Sequence, residues 1–164
     1  MLIYVDTEFT AFEQPRLISI GLVAEDGYHW LYSEIDGAHW YKYASEFVLA
    51  DVVPRMNSPH YGEEPAQAAA RIREWATKLP EEGVIACDSD YDWTLLRKLM
   101  LENGGWPAQF ADYCCPIAPT PQMQADQEYF FAQYALMRHH ALHDARALRY
   151  AHAAAKAAAA AGLG

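Results

Sequence analysis

The stretch Met1-Leu2-Ile3-Tyr4-Val5-Asp6-Thr7-Glu8-Phe9 opens the chain and decides how the rest of it is read. Met1 to Val5 is apolar, with β-branched residues at Ile3 and Val5, as in a buried strand, and it runs directly into two carboxylates. Side chains two apart on a strand share a face, so Asp6 and Glu8 point the same way, roughly 6–7 Å apart along the backbone. Two like charges at the end of a hydrophobic strand repel and lose hydration unless a cation or a proton compensates them. Mg2+ and Mn2+ favour such oxygen ligands. An Asp-x-Glu pair also occurs as an ordinary solvated strand end, so a metal site needs partners from elsewhere in the chain.

Outward from this strand, Leu17 to Ala24 reads as a second, mostly buried strand, Glu25-Asp26-Gly27 as a hairpin turn, and Tyr28 to Ile35 as a third strand. The chain thus begins as an antiparallel meander. Ala44 to Val53 is expected to form a short helix ended by Pro54, and Asn57-Ser58-Pro59 with Gly62 marks a loop. Pro65 to Leu79 has helical spacing at Ala69, Ile72, Trp75, Ala76 and Leu79. Val84 to Cys87 follows as a parallel strand reached by crossover. The chain then turns from Asp88 into a helix that buries Leu95, Leu96, Leu99 and Met100 and stops at Asn103-Gly104-Gly105. Phe110 to Cys115 is expected as a last strand, Pro116 to Pro121 as a loop, and Gln127 to Met137 as a helix. A long helix runs from about His140 into the alanines. The expected fold is α/β, with a mixed five-stranded sheet flanked by helices, in one domain over residues 1–164 with an Ala-rich helical tail at about 151–164.

Composition narrows the function classes. With 164 residues, 52% hydrophobic and 21% charged, the chain can bury a core. Its formal net charge of −10 offers no long-range attraction to nucleic acid, so such a substrate must be held locally by metal and a few arginines. Cys87, Cys114 and Cys115 form no disulfide framework and lack the spaced pairs of a zinc site, so they read as reduced thiols in a cytoplasmic protein. No signal peptide or membrane span is visible.

Partners for Asp6 and Glu8 appear at two distant places. Asp88, Asp90 and Asp92 stand immediately beyond a buried strand, where ligands gather in α/β folds, and Asp92 is the most plausible third carboxylate. Acidic residues are common in a first helical turn for dipole reasons, and Asp88 and Asp90 remain competitors. The second place is Arg138-His139-His140-Ala141-Leu142-His143-Asp144-Ala145. Asp144 shares a helix face with Ala141 and Leu148, the side turned to the sheet, where a lone carboxylate is costly to bury. His139 lies five residues earlier, about 140° around an ideal helix, and can join Asp144 only from the preceding loop or a frayed first turn. His140 and His143 read as helix-surface residues. A zinc pair of His139 and His143 lacks the glutamate of the metalloprotease signature.

Taken together, Asp6-Thr7-Glu8, Tyr91-Asp92-Trp93-Thr94-Leu95-Leu96 and the His139 to Asp144 string resemble the three motifs of the DEDDh 3′–5′ exonucleases. That family belongs to the RNase H-like superfamily, with RNase T, oligoribonuclease and polymerase proofreading subunits. The resemblance covers about residues 2–150 and is greatest to small bacterial 3′–5′ exoribonuclease-like proteins. It implies an RNase H-like fold and two Mg2+ or Mn2+ ions held by Asp6, Glu8, Asp92 and Asp144, with His139 as general base. Phosphodiester hydrolysis from the 3′ end of single-stranded RNA, DNA or short oligonucleotides would release nucleoside 5′-monophosphates. It further implies a homodimer. Asp88 and Asp90, in place of small or amide residues, and His143, at an often acidic position, depart from the family pattern without removing a catalytic residue. Thr7, Phe9, Tyr91 and Arg138 are candidate substrate contacts. Phe12 and Trp93 are further candidates for base stacking, and Arg16 and Arg55 for phosphate. The rival classes are a partner-binding adaptor that keeps the fold, and a metal hydrolase of small phosphate esters.

Overall fold

A computed structural model describes residues 1–162. β1 (Leu2–Phe9) is the hub of the sheet: it pairs antiparallel with β2 (Leu17–Ala24) on one side and parallel with β5 (Gly83–Cys87) on the other. β3 (Trp30–Ile35) continues the meander, and β6 (Phe110–Pro116) adds a parallel strand beyond β5. The sheet has six strands where five were expected. The extra one, β4 (Gly62–Glu63), is two residues long and pairs parallel with the end of β3, in a stretch whose Asn, Pro and Gly content reads as loop. The order across the sheet is β4-β3-β2-β1-β5-β6.

Strand alternation assigns the two faces. Ile3, Val5, Ile18, Ile20, Leu22 and Ile85 point into one core with Ile72 and Trp75 of α2 (Pro65–Ala76) and Leu96 and Met100 of α3 (Asp90–Glu102). Tyr4 points to the other face, against Met123 of α4 (Pro121–Tyr134) and Leu148 and Ala151 of α5 (Ala141–Ala160). Asp6 and Glu8, in phase with Tyr4, therefore lie on the α5 side. A one-turn helix, α1 (Ser58–Tyr61), precedes β4.

Several boundaries moved for identifiable reasons. α4 begins at Pro121 rather than Gln127, because the Thr120 hydroxyl accepts the Met123 N–H and Pro121 suits the first helical position. It ends at Ala135, in the left-handed region at φ 50°. The short helix expected over Ala44–Val53 is present from residue 46, but most of it is a π-helical turn, Val48–Val52, and it runs on into a tight turn at Val53–Arg55 that contains Pro54 instead of ending before it. α5 continues to Ala160, and residues 163–164 of the Ala-rich tail lie outside the described residues. Among the described residues, no helix is long and apolar enough to cross a membrane.

One contact fixes where α5 starts. Gly21 on β2 is the partner of Asp6, and a Cβ built on it would meet the backbone of Ala141 and Leu142 at 2.5 Å. The absent side chain lets the first turn of α5 lie directly on the sheet beside Asp6. Gly21→Ala should lift that turn, costing about 1–3 kcal/mol of stability and weakening divalent-metal binding. Urea unfolding and Mn2+ calorimetry on the variant check both effects, and unchanged values would show that the close approach is not required.

Candidate active site

β5 stops pairing with β1 at Tyr4–Ala86, so beyond that point the β5-side edge of β1 is open. The first turn of α3 fills it. Asp92 Oδ1 accepts the Thr7 N–H at 2.9 Å and the Thr7 hydroxyl at 2.7 Å, and the aspartate is 3% exposed. Thr7, expected at the substrate, thus orients the third carboxylate from the back. Ser89 caps α3 by accepting the Tyr91 N–H, which sets the turn from which Asp92 projects.

From the other direction, α5 delivers Asp144. Its Oδ2 accepts the His140 N–H at 2.9 Å, at a helix N-terminus where backbone dipoles favour a negative charge. One oxygen each from Asp6, Glu8 and Asp144 lie within 4.8 Å of one another. These carboxylates, with Thr7, Asp88, Asp92, Arg138 and His139, line a cleft of about 760 Å³. Of the competing aspartates, Asp88 lines the cleft, whereas Asp90, in the first turn of α3, does not.

Charge crowding dominates the electrostatics. Burial, reinforced by Asp92, Asp144 and Glu8, holds the Asp6 carboxyl well above the usual carboxylate range. Burial with Asp144 and Asp92 pushes Glu8 up to about 8. Asp92 rises to about 7, chiefly by burial and against the Thr7 hydrogen bonds, and burial takes Asp144 to about 6. Such a set of oxygen donors, short of positive charge and packed within bridging distance, fits a divalent cation.

His139 sits in the connection before α5, as its angular offset from Asp144 required. Its φ of 60° places it in the left-handed region, uncommon outside glycine and often met at functional positions. Its ring meets Phe47 edge-on at 4.9 Å, and burial holds its pKa below the ordinary imidazole value. His140 and His143, expected on the helix surface, are half-buried. The low seat of α5 stacks His140 on Tyr32 at 4.4 Å and on His143 at 4.0 Å, and burial takes His140 down to about 4.

At the rim, Phe9 stacks on Tyr91 at 5.0 Å, and Phe12, 68% exposed, meets both rings edge-on. A bulge between Glu8 and Phe9 turns the strand here. Arg138 lines the cleft while paired with Glu128 on α4. Two other candidates fall elsewhere: Trp93 packs on Trp106 at 5.2 Å, and Arg16 lies over the Tyr43 ring at 3.6 Å beside a smaller, separate cleft. Sequence reasoning missed Phe47 and the role of Gly21; neither belongs to a motif, and only the folded chain brings them to the site.

No family model matches the sequence, and no curated protein matches it. Solved structures do. The nuclease domain of 3′hExo, a DEDDh family member, bound to rAMP, superposes with a TM-score of 0.60 at 10% identity, over 92% of this chain and 88% of that one. The fold is that of a DEDDh exonuclease domain. Exonuclease I superposes with a TM-score of 0.52 at 14% identity, over 90% of this chain, which spans 39% of that larger protein. Pop2p of S. pombe, in its Mg2+- and Mn2+-bound form, gives 0.49 at 14% identity, over 92% and 80% of the two chains. The DEDDh fold agrees with the RNase H-like α/β architecture expected from the three motifs.

The raised carboxylates predict how stability varies with pH in the metal-free protein. A carboxyl whose folded pKa exceeds its unfolded value binds more protons when folded, so its contribution is lost as pH rises through the folded pKa. The lowered histidines His139, His140 and His143 work in the opposite sense, but only up to about 6.5, their unfolded value. Above that, Glu8 and Asp92 still lose protons, so the melting temperature in EDTA should fall between pH 6.5 and 8.5. Glu8→Gln should flatten the fall, and Mn2+ should reverse it. A melting temperature that rises over this range in EDTA would contradict the crowded-carboxylate picture.

Proposed function

We propose that this protein is a DEDDh-family 3′–5′ exonuclease that releases nucleoside 5′-monophosphates from single-stranded RNA or short oligonucleotides. The observation that carries the reading is the convergence of Asp6, Glu8 and Asp144, with Asp92 and His139 in the same cleft. A binding adaptor has no use for four crowded carboxylates beside a histidine held at positive φ. The bound rAMP of the 3′hExo nuclease domain supports RNA as the favoured substrate, with DNA as the alternative.

In this reading Asp6, Glu8, Asp144 and Asp92 would hold two Mg2+ or Mn2+ ions. Bound divalent cations supply Lewis acidity, which makes a water nucleophilic near neutral pH and stabilises negative charge on the departing oxygen. Asp6, between the Glu8–Asp144 pair and Asp92, would be shared between the ions; Asp144 and Glu8 would serve the side of the attacking water, and Asp92, fixed by Thr7, the side of the leaving oxygen. His139 takes one proton from the attacking water. The water oxygen forms a bond to phosphorus and the bond to the 3′-oxygen breaks. The shortened strand keeps a 3′-hydroxyl once that oxygen gains a proton, and the terminal residue leaves as its 5′-monophosphate. Phe9, which lines the cleft with Tyr91 stacked behind it, offers a ring to the terminal base, a sequence-tolerant mode of holding a strand, and Arg138 offers charge to its phosphates.

Incubated with 5′-labelled RNA and DNA strands of one sequence and Mg2+ or Mn2+, the protein should give a ladder shortened from the 3′ end, with RNA cut faster. Asp6→Ala should abolish it. His139→Ala should lower kcat by about 10²–10⁴-fold while leaving Mn2+ binding intact. Internal cleavage, or hydrolysis confined to small phosphate esters, would refute the exonuclease assignment.

A further inference from the structure

The connection from β3 to α1 meets the connection from α4 to α5 through the rings of Phe47 and His139. Ser45, Phe47 and Val48 of the first and Arg138 and His139 of the second line the same cleft, and the two rings stand at 90° with their centroids 4.9 Å apart. The turn that carries Phe47 is tied to the end of β1. Ser45 donates its N–H to the Thr10 carbonyl at 3.2 Å, and its hydroxyl and carbonyl accept the Val48 and Leu49 N–H groups at 3.3 and 3.1 Å. Thr10 is fully buried, and Val48 and Val52 fill the core beneath the turn. Phe47 is therefore held through its backbone while its ring stands 51% exposed in the cleft, instead of joining its neighbours in the core.

His139 lacks the support that a catalytic imidazole ordinarily has. It precedes α5, its backbone lies in the left-handed region, and among the described residues no protein group hydrogen-bonds to either ring nitrogen. The usual device is an acceptor on the nitrogen that faces away from the reaction, which fixes both tautomer and orientation. Here the neighbour is an aromatic ring. In a perpendicular pair the positive edge of one ring meets the negative face of the other, and the preference for that arrangement limits how far either ring turns. We propose that Phe47 is a positioning residue for His139, keeping the imidazole turned into the cleft in place of a hydrogen-bonding acceptor. It acts through the histidine and leaves both ring nitrogens free to exchange protons with water. The assignment rests on the exonuclease reading above, and it gives the β3–α1 connection a part in the chemistry rather than in holding the strand.

A double-mutant cycle tests it: kinetics on a 5′-labelled single-stranded oligonucleotide with Mn2+ for wild type, Phe47→Ala, His139→Ala and the double variant, with Mn2+ calorimetry and thermal melting on the same proteins. Phe47→Ala should lower kcat by about 3–10-fold, the share of one edge-on ring pair, with KM within about twofold of wild type. Its Mn2+ affinity should be unchanged. In the His139→Ala background the same substitution should cost nothing further, because the group it positions is gone. Phe47→Tyr, which keeps the ring, should recover most of the loss. If Phe47→Ala melts too low to assay, Phe47→Leu, which keeps apolar bulk without an aromatic ring, takes its place in the cycle with the same pattern expected. Losses that add in the double variant, or that fall on KM, assign Phe47 to the strand instead and overturn this proposal. An unchanged kcat, or a kcat lost together with Mn2+ binding, overturns it too, and all of these leave the exonuclease reading standing. A wild-type protein without 3′ shortening overturns both.

Discussion

Mutual repulsion among Asp6, Glu8 and Asp144 is the constraint on which the rest of this structure bears. Three carboxylates with oxygens inside 4.8 Å, backed by a fourth at Asp92, cannot all be ionised in a half-buried cleft without a compensating charge. The protein supplies little of it: Arg138 is shared with Glu128, and Arg55 is the other cation acting on the cluster. The remainder must come from protons or from a bound cation. A fold that holds such a cluster together has spent stability on it, which is characteristic of sites selected for chemistry.

The framework meets that cost by building the site from rigid pieces. β1 is hydrogen-bonded on both sides over its first half, so the Asp6–Glu8 spacing is set by a strand that cannot slide without exposing Ile3 and Val5. Where β5 ends, Asp92 takes over the free N–H of Thr7 and so occupies the edge that a seventh strand would otherwise want. On the opposite face, the Gly21 gap seats the α5 N-terminus, and burial of Ala141, Ala145 and Leu148 keeps Asp144 turned inward. His139 stands outside regular structure, in the connection before α5, with its ring packed edge-on against Phe47.

Much of this was legible in the sequence because it depends on local periodicity. The two-residue spacing of Asp6 and Glu8 on a strand sets the acidic pair on one face, and the angular offset between His139 and Asp144 sets the histidine outside the helix, where it stands. What escaped were features decided by contact between distant segments. Gly21 looks like any strand glycine until Ala141 lies on it. His140 and His143 look solvent-facing until the same approach stacks them under Tyr32. The π-helical turn at Val48–Val52 carries no composition cue, and β4 is too short to have a period. Thr7 reads in the sequence as a substrate contact, but the structure has it hold Asp92, 85 residues away, through its N–H and hydroxyl.

The most direct measurement of the central claim is anomalous diffraction from a crystal grown with Mn2+ near pH 8, where the carboxylates can ionise. A manganese peak coordinated by oxygens of Asp6, Glu8 and Asp144 is the result expected. Manganese absent from that cleft, with the three side chains turned away from one another, would contradict it.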